Sequence, residues 1–371
     1  MSAVAPASNR SDPTDRSDPT DPALRDRKAE HIRLALEPRM QVDASAFDNY
    51  RFGHEALPEI DFDAIDLSTE FLGRTLKAPL LISCMTGGTE IAARINRNLA
   101  IAAEATGVAV GVGSQRKALE DPAKADTFRV RDLAPSVPLL ANLGAVQLNY
   151  GIGLDECRKA VEMIGADALV FHLNPLQEAI QPEGQRNFVG LLDRMAAVAH
   201  EIEVPVIVKE VGSGLSEAAG RALAGRGFSI LDTAGVGGTS WARIEAARAD
   251  DLDLGELFAD WGVRTPESIA ALARIGGLTI IGSGGIRHGL DVAKALALGA
   301  RMAGMAFRFL AAATESPERV IERIERTIRE LSIAMFCLGA RTPADLTEVR
   351  LERRQGSGAL PPGRGSLDSG F

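Results

Sequence analysis

Aromatic side chains are scarce in this chain of 371 residues, at 5% of the sequence with two tryptophans and two tyrosines. That scarcity argues against an aromatic-rich β-sandwich, whereas the dominant Gly, Ala, Val, Ile and Leu suit a parallel sheet packed closely against helices. Cysteine is also rare: Cys84, Cys157 and Cys337 are widely spaced and form neither a metal-binding pair nor a disulfide framework. We therefore expect a protein of a reducing compartment.

Long apolar runs and an excess of positive charge are missing as well. No stretch reaches the roughly 18 apolar residues of a membrane span, and the N-terminus has no apolar signal core, so we predict a cytoplasmic protein with no membrane association. The 41 basic residues are outnumbered by 50 acidic ones, which gives a net charge of −9. Nucleic-acid binders are usually basic, so the charge argues against a nucleic-acid partner.

The two ends of the chain have compositions typical of disordered segments. Residues 10–15 read RSDPTD, residues 16–21 repeat them, and residues 355–366 read QGSGALPPGRGS. Such segments bury too little apolar surface to become ordered. We predict disordered tails at residues 1–26 and 353–371 around one folded domain of residues 27–352, longer than the roughly 250 residues of a typical (β/α)8 barrel.

Between these tails, short apolar runs alternate with helical patterns. Runs of this kind are typical of strands buried on both faces. The predicted strands cover residues 79–83, 108–112, 138–142, 168–172, 205–209, 229–232, 278–282 and 301–305. The predicted helices include residues 90–106, 155–164, 187–202, 216–224, 290–298 and 317–332. Eight such units predict an α/β fold, a TIM (β/α)8 barrel with an N-terminal extension at residues 27–77 and an insertion at residues 237–264.

Polar residues occur at nearly every predicted strand end, which is more than a bare scaffold needs. In a barrel of this kind, the active site lies at the carboxyl ends of the strands. The residues at these ends include Ser83, Cys84, Thr86, Ser114, Gln115, Arg116, Asn142, His172, Asn174, Lys209, Asp232, Thr239 and Ser283. We therefore expect a functional site there.

Two groups of residues point to a phosphorylated cofactor. Gly284 and Gly285 follow the seventh strand, where backbone N–H groups can approach an anion, although a plain turn is the alternative. Gly237 and Gly238, one strand earlier, favour the phosphate site.

Lys209 ends a buried apolar strand, where an unpaired ammonium is costly. It can form a Schiff base, pair with a carboxylate or lie beside an electron-rich cofactor ring.

Three further candidates each have a functional and a structural interpretation. Glu178, in the loop after the fourth strand, can hold a hard cation such as Mg²⁺ or can be a solvated loop residue. His172 lies at that strand end, which favours substrate contact over a core position. Arg27, Lys28 and His31 lie close together if this segment is helical, either as a cationic patch or as a solvated helix end.

The order of these motifs closely resembles one known family. The chain contains, in order, Arg27-Lys28-x-x-His31, Met85-Thr86-Gly87-Gly88, Gly113-Ser114-Gln115-Arg116, His172-Leu173-Asn174-x-x-Gln177-Glu178, Gly238-Thr239-Ser240-Trp241 and Ser283-Gly284-Gly285-Ile286-Arg287. Together they resemble the type 2 isopentenyl-diphosphate Δ-isomerases, which are FMN-dependent TIM barrels. The likeness runs from about Arg27 to Leu351. The last motif is shared with other FMN barrels, whereas the first and the fourth are more specific.

This resemblance implies an isomerase of isoprenoid biosynthesis that interconverts isopentenyl and dimethylallyl diphosphate by a 1,3-allylic proton shift. It implies reduced FMN as the acid/base, NADPH as the reductant, Mg²⁺ and a homo-oligomer, often a tetramer or octamer. The implied FMN contacts are Met85, Thr86, Gly87, Ser114, Asn142, Lys209, Thr239, Gly284, Gly285, Ala306 and Phe307. The implied substrate contacts are Arg27, Lys28, His31, Ser114, Gln115, Arg116 and Gln177.

The resemblance also implies specific roles. Gln177, His172 and Asn174 would be the catalytic residues, with Gln177 orienting the alkene or relaying a proton, and Glu178 would bind Mg²⁺ at the diphosphate. Lys209 would lie near the N1 and C2-carbonyl edge of the flavin and favour its anionic reduced form.

Two positions depart from the family pattern. Ala234 replaces a serine found in some relatives, which puts one flavin hydrogen bond in question, and Arg308 stands where a proline is common, which puts the local backbone in question.

Two rival functions fit part of the pattern. An FMN-dependent 2-hydroxy-acid oxidase or dehydrogenase needs a histidine base near the ends of strands six and seven, but strand six ends in Asp232, Thr233, Ala234 and Gly235. A non-catalytic phosphate-binding barrel is the other alternative, and it predicts a colourless protein that forms no allylic product.

Overall fold

The computed structural model describes residues 22–42 and 45–354, and side chains from Lys28 onward. Most of the two predicted tails, namely residues 1–21 and 355–371, lies outside the described residues. The first helix begins at Pro22, five residues before the predicted domain boundary at Arg27, and the last strand ends at Arg353, one residue after the predicted boundary. Arg27 lies in the first helix, but its side chain is outside the described part of the structure.

The N-terminal extension contains more regular structure than the predicted helix. Helix α1 (Pro22–Ala35) precedes a short strand β1 (Tyr50–Phe52) and a hairpin of β2 (Thr69–Phe71) and β3 (Arg74–Leu76). Leu72 and Gly73 join the hairpin strands, and both have positive φ, at 50° and 72°. Two positive φ angles in a two-residue loop match the twist of a tight hairpin.

Eight parallel strands then close into a barrel, which confirms the predicted TIM barrel. They are β4 (Leu80–Ile82), β5 (Ala109–Gly111), β6 (Leu139–Gly144), β7 (Ala168–Leu173), β8 (Val206–Glu210), β9 (Ile230–Asp232), β10 (Thr279–Ser283) and β11 (Met302–Met305). Each boundary lies within two residues of its predicted position. The barrel closes because β11 pairs with β4, with Ala303 opposite Leu80.

Apolar side chains on the two faces of the barrel strands form separate cores. Leu81 and Ile207 belong to a cluster inside the barrel, whereas Leu80 and Val208 belong to the larger cluster between the strands and the helices. The alternation follows from the two-residue period of a strand. Phe71, from the β2–β3 hairpin, joins the inner cluster and is 3% exposed, so the hairpin closes the end of the barrel opposite the strand carboxyl ends.

Helices surround the barrel. The helices after α1 are α2 (Glu90–Thr106), α3 (Arg116–Glu120), α4 (Leu154–Ile164), α5 (Pro175–Ile180), α6 (Leu191–Glu201), α7 (Glu217–Ala224), α8 (Trp241–Arg248), α9 (Leu252–Leu257), α10 (Thr265–Ala273), α11 (Gly289–Ala297), α12 (Phe307–Ala313) and α13 (Pro317–Phe336). Short 3-10 helices occupy Pro38–Met40, Ala46–Asn49, Phe62–Ala64, Pro122–Thr127, Arg131–Leu133, Ala145–Asn149 and Pro343–Glu348. Among residues 22–42 and 45–354, no helix combines the length and apolar character needed to cross a membrane.

Capping residues explain where two of the predicted helices begin and end. Helix α2 has its predicted bounds, because the Thr89 side chain accepts from the N–H of Ala92 and Gly107 ends the helix with φ 68°. Helix α6 begins four residues later than the predicted start at residue 187. Gly190 precedes it with φ 67°, a left-handed conformation that interrupts any helix running through it.

The predicted insertion after the sixth strand forms α8 and α9 and leads into α10. Backbone hydrogen bonds attach the N-terminal extension to the loop that precedes α8: Val42 N–H donates to Gly238 O at 2.7 Å, and Ser240 N–H donates to Met40 O at 2.8 Å. Helix α8 also contacts α1 and α5. The extension and the insertion therefore meet above the carboxyl ends of the barrel strands.

The last described strand, β12 (Leu351–Arg353), pairs antiparallel with β1. Tyr50 lies opposite Arg353, and the N–H of Arg354 donates to Asn49 O at 2.7 Å. The last described strand is thus joined to the N-terminal extension.

Candidate active site

A cavity of about 560 Å³ opens at the carboxyl ends of the barrel strands, where the sequence predicts the site. Its lining combines residues from the barrel loops, from α1 and from α8. The predicted site residues that line it are Lys28, His31, Met85, Thr86, Ser114, Arg116, Asn142, His172, Asn174, Gln177, Glu178, Lys209, Thr239, Gly284, Gly285, Ala306 and Phe307. The fold therefore brings together residues that are up to 279 positions apart in the sequence (307 − 28).

Glycines shape one end of this cavity. Gly284 and Gly285 have φ angles of 100° and 73°. A Cβ on Gly284 would lie 2.1 Å from Gly235 O, and one on Gly285 would lie 2.1 Å from Gly237 O. The loops after β9 and β10 thus pack backbone against backbone, which only glycine allows here. This cradle fits the phosphate end of a flavin nucleotide, because exposed backbone groups can approach the anion closely.

Polar groups form the floor of the cavity at the ends of β4 and β8. Ser83 is 6% exposed, and its hydroxyl has no hydrogen-bond partner in the described residues. Lys209 is 7% exposed, and its ammonium donates to Glu210 O. A buried ammonium and an unpaired hydroxyl favour a bound polar group that satisfies them. This floor fits the polar edge of a flavin ring.

The Cys84 thiol lies beside this floor. Burial raises the pKa of Cys84 to about 11, so the group stays a neutral thiol at physiological pH. A reactive thiolate needs a lowered pKa. The cysteine therefore has no feature of a nucleophile.

Asn142 and His172, from the neighbouring strands β6 and β7, form a hydrogen-bonded pair. The Nδ1 atom of His172 lies 2.8 Å from Oδ1 of Asn142. A carboxamide oxygen only accepts, so Nδ1 carries the proton and Nε2 is an acceptor. Burial, together with charge repulsion from Lys209, Arg116 and Lys28, lowers the pKa of His172 to about 3. The imidazole is therefore neutral at physiological pH.

A neutral buried His172 makes the protein less stable in acid. The unfolded histidine binds a proton below its ordinary pKa of 6.5, whereas the folded one does so only near pH 3, so the free energy of unfolding falls as pH falls from about 6.5 to 3. From pH 7 to pH 5, we expect the free energy of unfolding, measured with urea, to fall by about 2 kcal/mol more in the wild type than in His172→Gln. His200→Gln, at a surface histidine with 85% side-chain exposure, should keep the wild-type slope. Equal slopes in all three proteins would contradict the neutral state.

The carboxamide of Gln177 is held at both ends. Its Oε1 accepts from Nδ2 of Asn174 at 3.1 Å, and its Nε2 donates to Oε1 of Glu245 at 2.7 Å. These two bonds fix which end of the amide is oxygen and which is nitrogen. Gln177 lies in the first turn of α5, whose Pro175 suits a helix start.

Glu245 is a site residue that the sequence analysis missed. Its side chain is completely buried in α8, and its Oε1 also lies 3.1 Å from Nε2 of His31. Burial alone would raise the pKa of Glu245, but contacts with His31, Gln177 and Arg248 lower it to about 2. The carboxylate is therefore ionised. A sequence signal existed, because Glu245 follows Trp241 by four residues and so lies on the same helix face.

Two of the predicted cationic side chains, Lys28 and Arg116, line the cavity. The ammonium of Lys28 donates to Ser114 O at 2.8 Å and lies 5.2 Å from the centre of the Phe128 ring. Arg116 begins α3, and its Nε lies 3.4 Å from a carboxylate oxygen of Glu120. In a chain of net charge −9, this local excess of cations favours an anionic ligand.

The structure corrects one predicted contact and places a second predicted residue outside the cavity lining. Gln115 is completely buried behind the cavity, where its Nε2 donates to Ala160 O at 2.8 Å and its Oε1 accepts from Asn142 N–H at 3.0 Å. It braces Asn142 instead of facing a substrate. Gly87, predicted to touch FMN, is outside the cavity lining, and a Cβ there would lie 1.8 Å from the Phe128 ring. Its small size allows that ring to pack.

Glu178 and Asn174 supply the oxygen atoms at the predicted Mg²⁺ position. Glu178 is 7% exposed; one carboxylate oxygen accepts from Asn174 Nδ2 at 2.9 Å and the other from Gln185 N–H at 2.6 Å. The Oδ1 of Asn174 is buried without a partner. In the described part of the chain, no three His, Cys, Asp or Glu residues cluster as metal ligands. One carboxylate and one amide oxygen fit a cation that takes its other ligands from water and phosphate.

The two departures from the family pattern differ in their local backbone, which has a positive φ at Ala234 and is helical at Arg308. Ala234 lines the cavity with φ 35°, and its N–H donates to Ser283 Oγ at 3.1 Å. Arg308 is exposed in the first turn of α12, whose backbone is helical, and it also lines the cavity. Neither position disrupts the cavity.

Two sequence relatives of this chain carry the same name. The family model described as FMN-dependent dehydrogenase matches residues 35–135 and 263–353. An isopentenyl-diphosphate delta-isomerase of Synechococcus sp. is 52% identical over 321 residues, which cover 85% of this chain and 92% of that protein. Another, of Paracoccus zeaxanthinifaciens, is 52% identical over 334 residues, which cover 87% and 95%.

Solved structures give the fold alone. A lactate oxidase of Pediococcus acidilactici has a TM-score of 0.62 at 16% identity, covering 88% of this chain and 87% of that one. A mandelate oxidase variant with an FMN adduct has a TM-score of 0.60 at 16% identity, covering 88% and 99%. The sequence relatives decide between the families that share this barrel. The chain belongs to the isopentenyl-diphosphate delta-isomerase family, as its motifs indicated, within the wider group of FMN-dependent barrel proteins.

Proposed function

We propose that this chain interconverts isopentenyl diphosphate and dimethylallyl diphosphate with reduced FMN, Mg²⁺ and NADPH as the reductant. The observation that carries the proposal is the Gln177–Glu245 pair, which holds an oriented carboxamide in a cavity rimmed by cations. Relatives that are 52% identical and named for this reaction support it. The reaction moves one proton onto the alkene and removes another, with no net oxidation.

The glycine cradle and the polar floor are the proposed FMN site. Gly284, Gly285, Ala306 and Phe307 would hold the phosphate, and Lys209 would stabilise the polar edge of the ring. Met85, Thr86, Ser114, Asn142 and Thr239 line the cavity between these ends. When reduced and bound, FMN supplies a transferable proton at N5 beside an electron-rich ring.

The protein's own residues would then control where the alkene lies. The amide nitrogen of Gln177 donates a hydrogen bond to the ionised carboxylate of Glu245. This hydrogen bond polarises the amide N–H group and fixes its position. We assign Gln177 the role of orienting the alkene or passing a proton through Nε2. Asn174 fixes the oxygen of the same amide, and neutral His172 adds an acceptor at Nε2 without adding charge. An isolated alkene is a weak base, so a fixed donor in a site without bulk water is needed.

The cationic rim is the proposed diphosphate site. Lys28 and Arg116 would pair with the phosphate oxygens, and Arg27 would join them from the helix that carries Lys28. Glu178 would hold Mg²⁺, which would supply further positive charge for the diphosphate. This binding energy lies remote from the reacting carbons, so it can hold the alkene at the catalytic residues. A cytoplasmic location and a homo-oligomer, tetramer or octamer, complete the proposal.

The decisive test is an anaerobic assay of the purified protein with isopentenyl diphosphate, FMN, NADPH and Mg²⁺. We expect dimethylallyl diphosphate in the complete mixture and little or none when FMN, reductant or Mg²⁺ is omitted. The oxidase alternative predicts oxygen consumption with a 2-hydroxy acid in a parallel aerobic assay. An absence of allylic product from the complete mixture, with FMN bound, would refute the proposed function.

A further inference from the structure

Arg248 ends helix α8 and joins three carboxylates behind the cavity. Its Nη1 donates to Oε2 of Glu245 at 2.6 Å, its Nε to Glu30 at 3.3 Å and its Nη2 to Glu183 at 3.1 Å. Each carboxylate lies on a different segment: α8 itself, α1 and the loop after α5. The Arg248 side chain is 10% exposed, and that of Glu245 is completely buried. All three nitrogens of the Arg248 guanidinium group therefore take part in connecting three segments.

Each oxygen of Glu245 has a separate partner set. Oε2 pairs with Arg248, while Oε1 accepts from Gln177 and lies next to His31. A carboxylate that is buried without a cation is strongly disfavoured. Without Arg248, Oε2 of Glu245 would lose its guanidinium partner, while His31 and Gln177 would remain beside Oε1. The carboxylate would then be free to turn, and the nitrogen end of the Gln177 amide would lose a fixed acceptor. The arginine does not line the cavity, so any effect on the reaction must pass through its three carboxylate partners.

The other two nitrogens of Arg248, Nε and Nη2, bind carboxylates on two segments that line the cavity. Glu30 lies two residues from Lys28 and one from His31 on α1, and Glu183 itself lines the cavity. Arg248 thus holds α1, which carries the cation for the diphosphate, against the helix that carries Glu245. Because arginine presents a planar fork, it can make all three contacts at once, whereas lysine carries a single point of charge.

Resting on the proposed function, we infer that Arg248 is a positioning residue with two separable effects. Its Nη1 arm keeps Glu245 as an acceptor for Gln177, which controls the rate of turnover. Its Nε and Nη2 arms seat α1 and the loop after α5, which controls substrate affinity. A purely structural arginine would instead change stability without separating these two effects.

Three variants separate the arms. Arg248→Met removes the charge and should lower kcat for isopentenyl diphosphate at least tenfold, an order-of-magnitude expectation for removing one partner of a buried ion pair. Arg248→Lys keeps one charge for Glu245 and should restore kcat to within about threefold of the wild type while KM stays raised. Glu30→Gln removes only the tie to α1 and should raise KM by more than it lowers kcat. The control is Arg221→Met, which breaks an exposed ion pair with Glu217 on α7 and should match the wild type.

The inference is overturned if Arg248→Lys loses as much kcat as Arg248→Met, or if neither variant changes kcat or KM. Flavin content and the melting temperature are measured on every sample. If Arg248→Met does not fold, the decision rests on Arg248→Lys and Glu30→Gln: a raised KM at nearly constant kcat supports the inference, and an equal loss in both parameters overturns it.

Hydrogen exchange in residues 28–35 gives a readout that does not depend on turnover. Faster exchange of α1 in Arg248→Lys and Glu30→Gln than in Arg221→Met supports the seating role, and equal exchange overturns it. An inactive wild-type protein would therefore refute the proposed function while the role of Arg248 is still tested by exchange.

Discussion

Replacing Gln177 by leucine should lower kcat for isopentenyl diphosphate by about 10²–10⁴-fold, the range typical of losing a positioned proton-transfer group. Leucine is similar in size but offers neither the N–H that bonds Glu245 nor the oxygen that accepts from Asn174. The binding of FMN should change little, because the cradle and the floor lie on other strands. Product formation under anaerobic conditions, with flavin content measured on the same samples, gives the result.

A shorter amide provides the matched control for this effect. Gln177→Asn keeps the chemical group but withdraws it by one methylene from Glu245, which lies 2.7 Å away in the wild type. We expect kcat of Gln177→Asn to lie nearer to that of the leucine variant than to the wild type, because proton relays and near-attack positioning fail over about 1 Å. Wild-type turnover in either variant would remove Gln177 from the mechanism.

Gly285→Ala should produce the second large effect, a loss of FMN binding of at least about 100-fold, equivalent to some 3 kcal/mol. The new Cβ would lie 2.1 Å from Gly237 O, so the loop after β9 or the loop after β10 must move. Those two loops form the proposed phosphate cradle, and the displacement would break the approach of the backbone to the anion. The absorbance of bound flavin in the purified protein and fluorescence titration of apoprotein with FMN measure the loss.

Gly276→Ala separates this clash from the strain of the backbone angle. Gly276 has φ 76°, close to the 73° of Gly285, but a Cβ there has nothing within 4 Å. Both variants therefore share a positive φ that costs an alanine roughly 1 kcal/mol of stability. We expect Gly276→Ala to keep its flavin. If both variants lost FMN equally, general destabilisation would explain the result and the cradle would not.

The barrel could be predicted from the sequence because its signals are local. Each strand is a short apolar run, and the helix at residues 90–106 carries its own caps in Thr89 and Gly107. The lining of the cavity was also predictable, since it follows from strand ends in a known fold. Motif order then linked these ends to one family.

The partners of Gln177 could not be predicted in the same way. Glu245 is 68 residues away from Gln177, and Arg248 reaches Glu30 over 218 residues. Only the packing of α8 against α1 and α5 brings them together, and no local pattern encodes that packing. Gln115 shows the opposite case, a residue that the sequence predicts in the site but whose side chain lies outside the cavity lining. Its neighbours Ser114 and Arg116 line the cavity, but its own side chain turns inward to Ala160.

The pairing of β1 with β12 has a consequence for the order of assembly during synthesis. Tyr50 meets Arg353, so this contact closes a loop of about 300 residues and can form only after the whole barrel has left the ribosome. Until then, β1 carries an unpaired edge that can associate with other chains. A chain that stops before Leu351 would keep that edge unpaired permanently. The final strand therefore covers the edge of β1 only after the whole barrel has been synthesised.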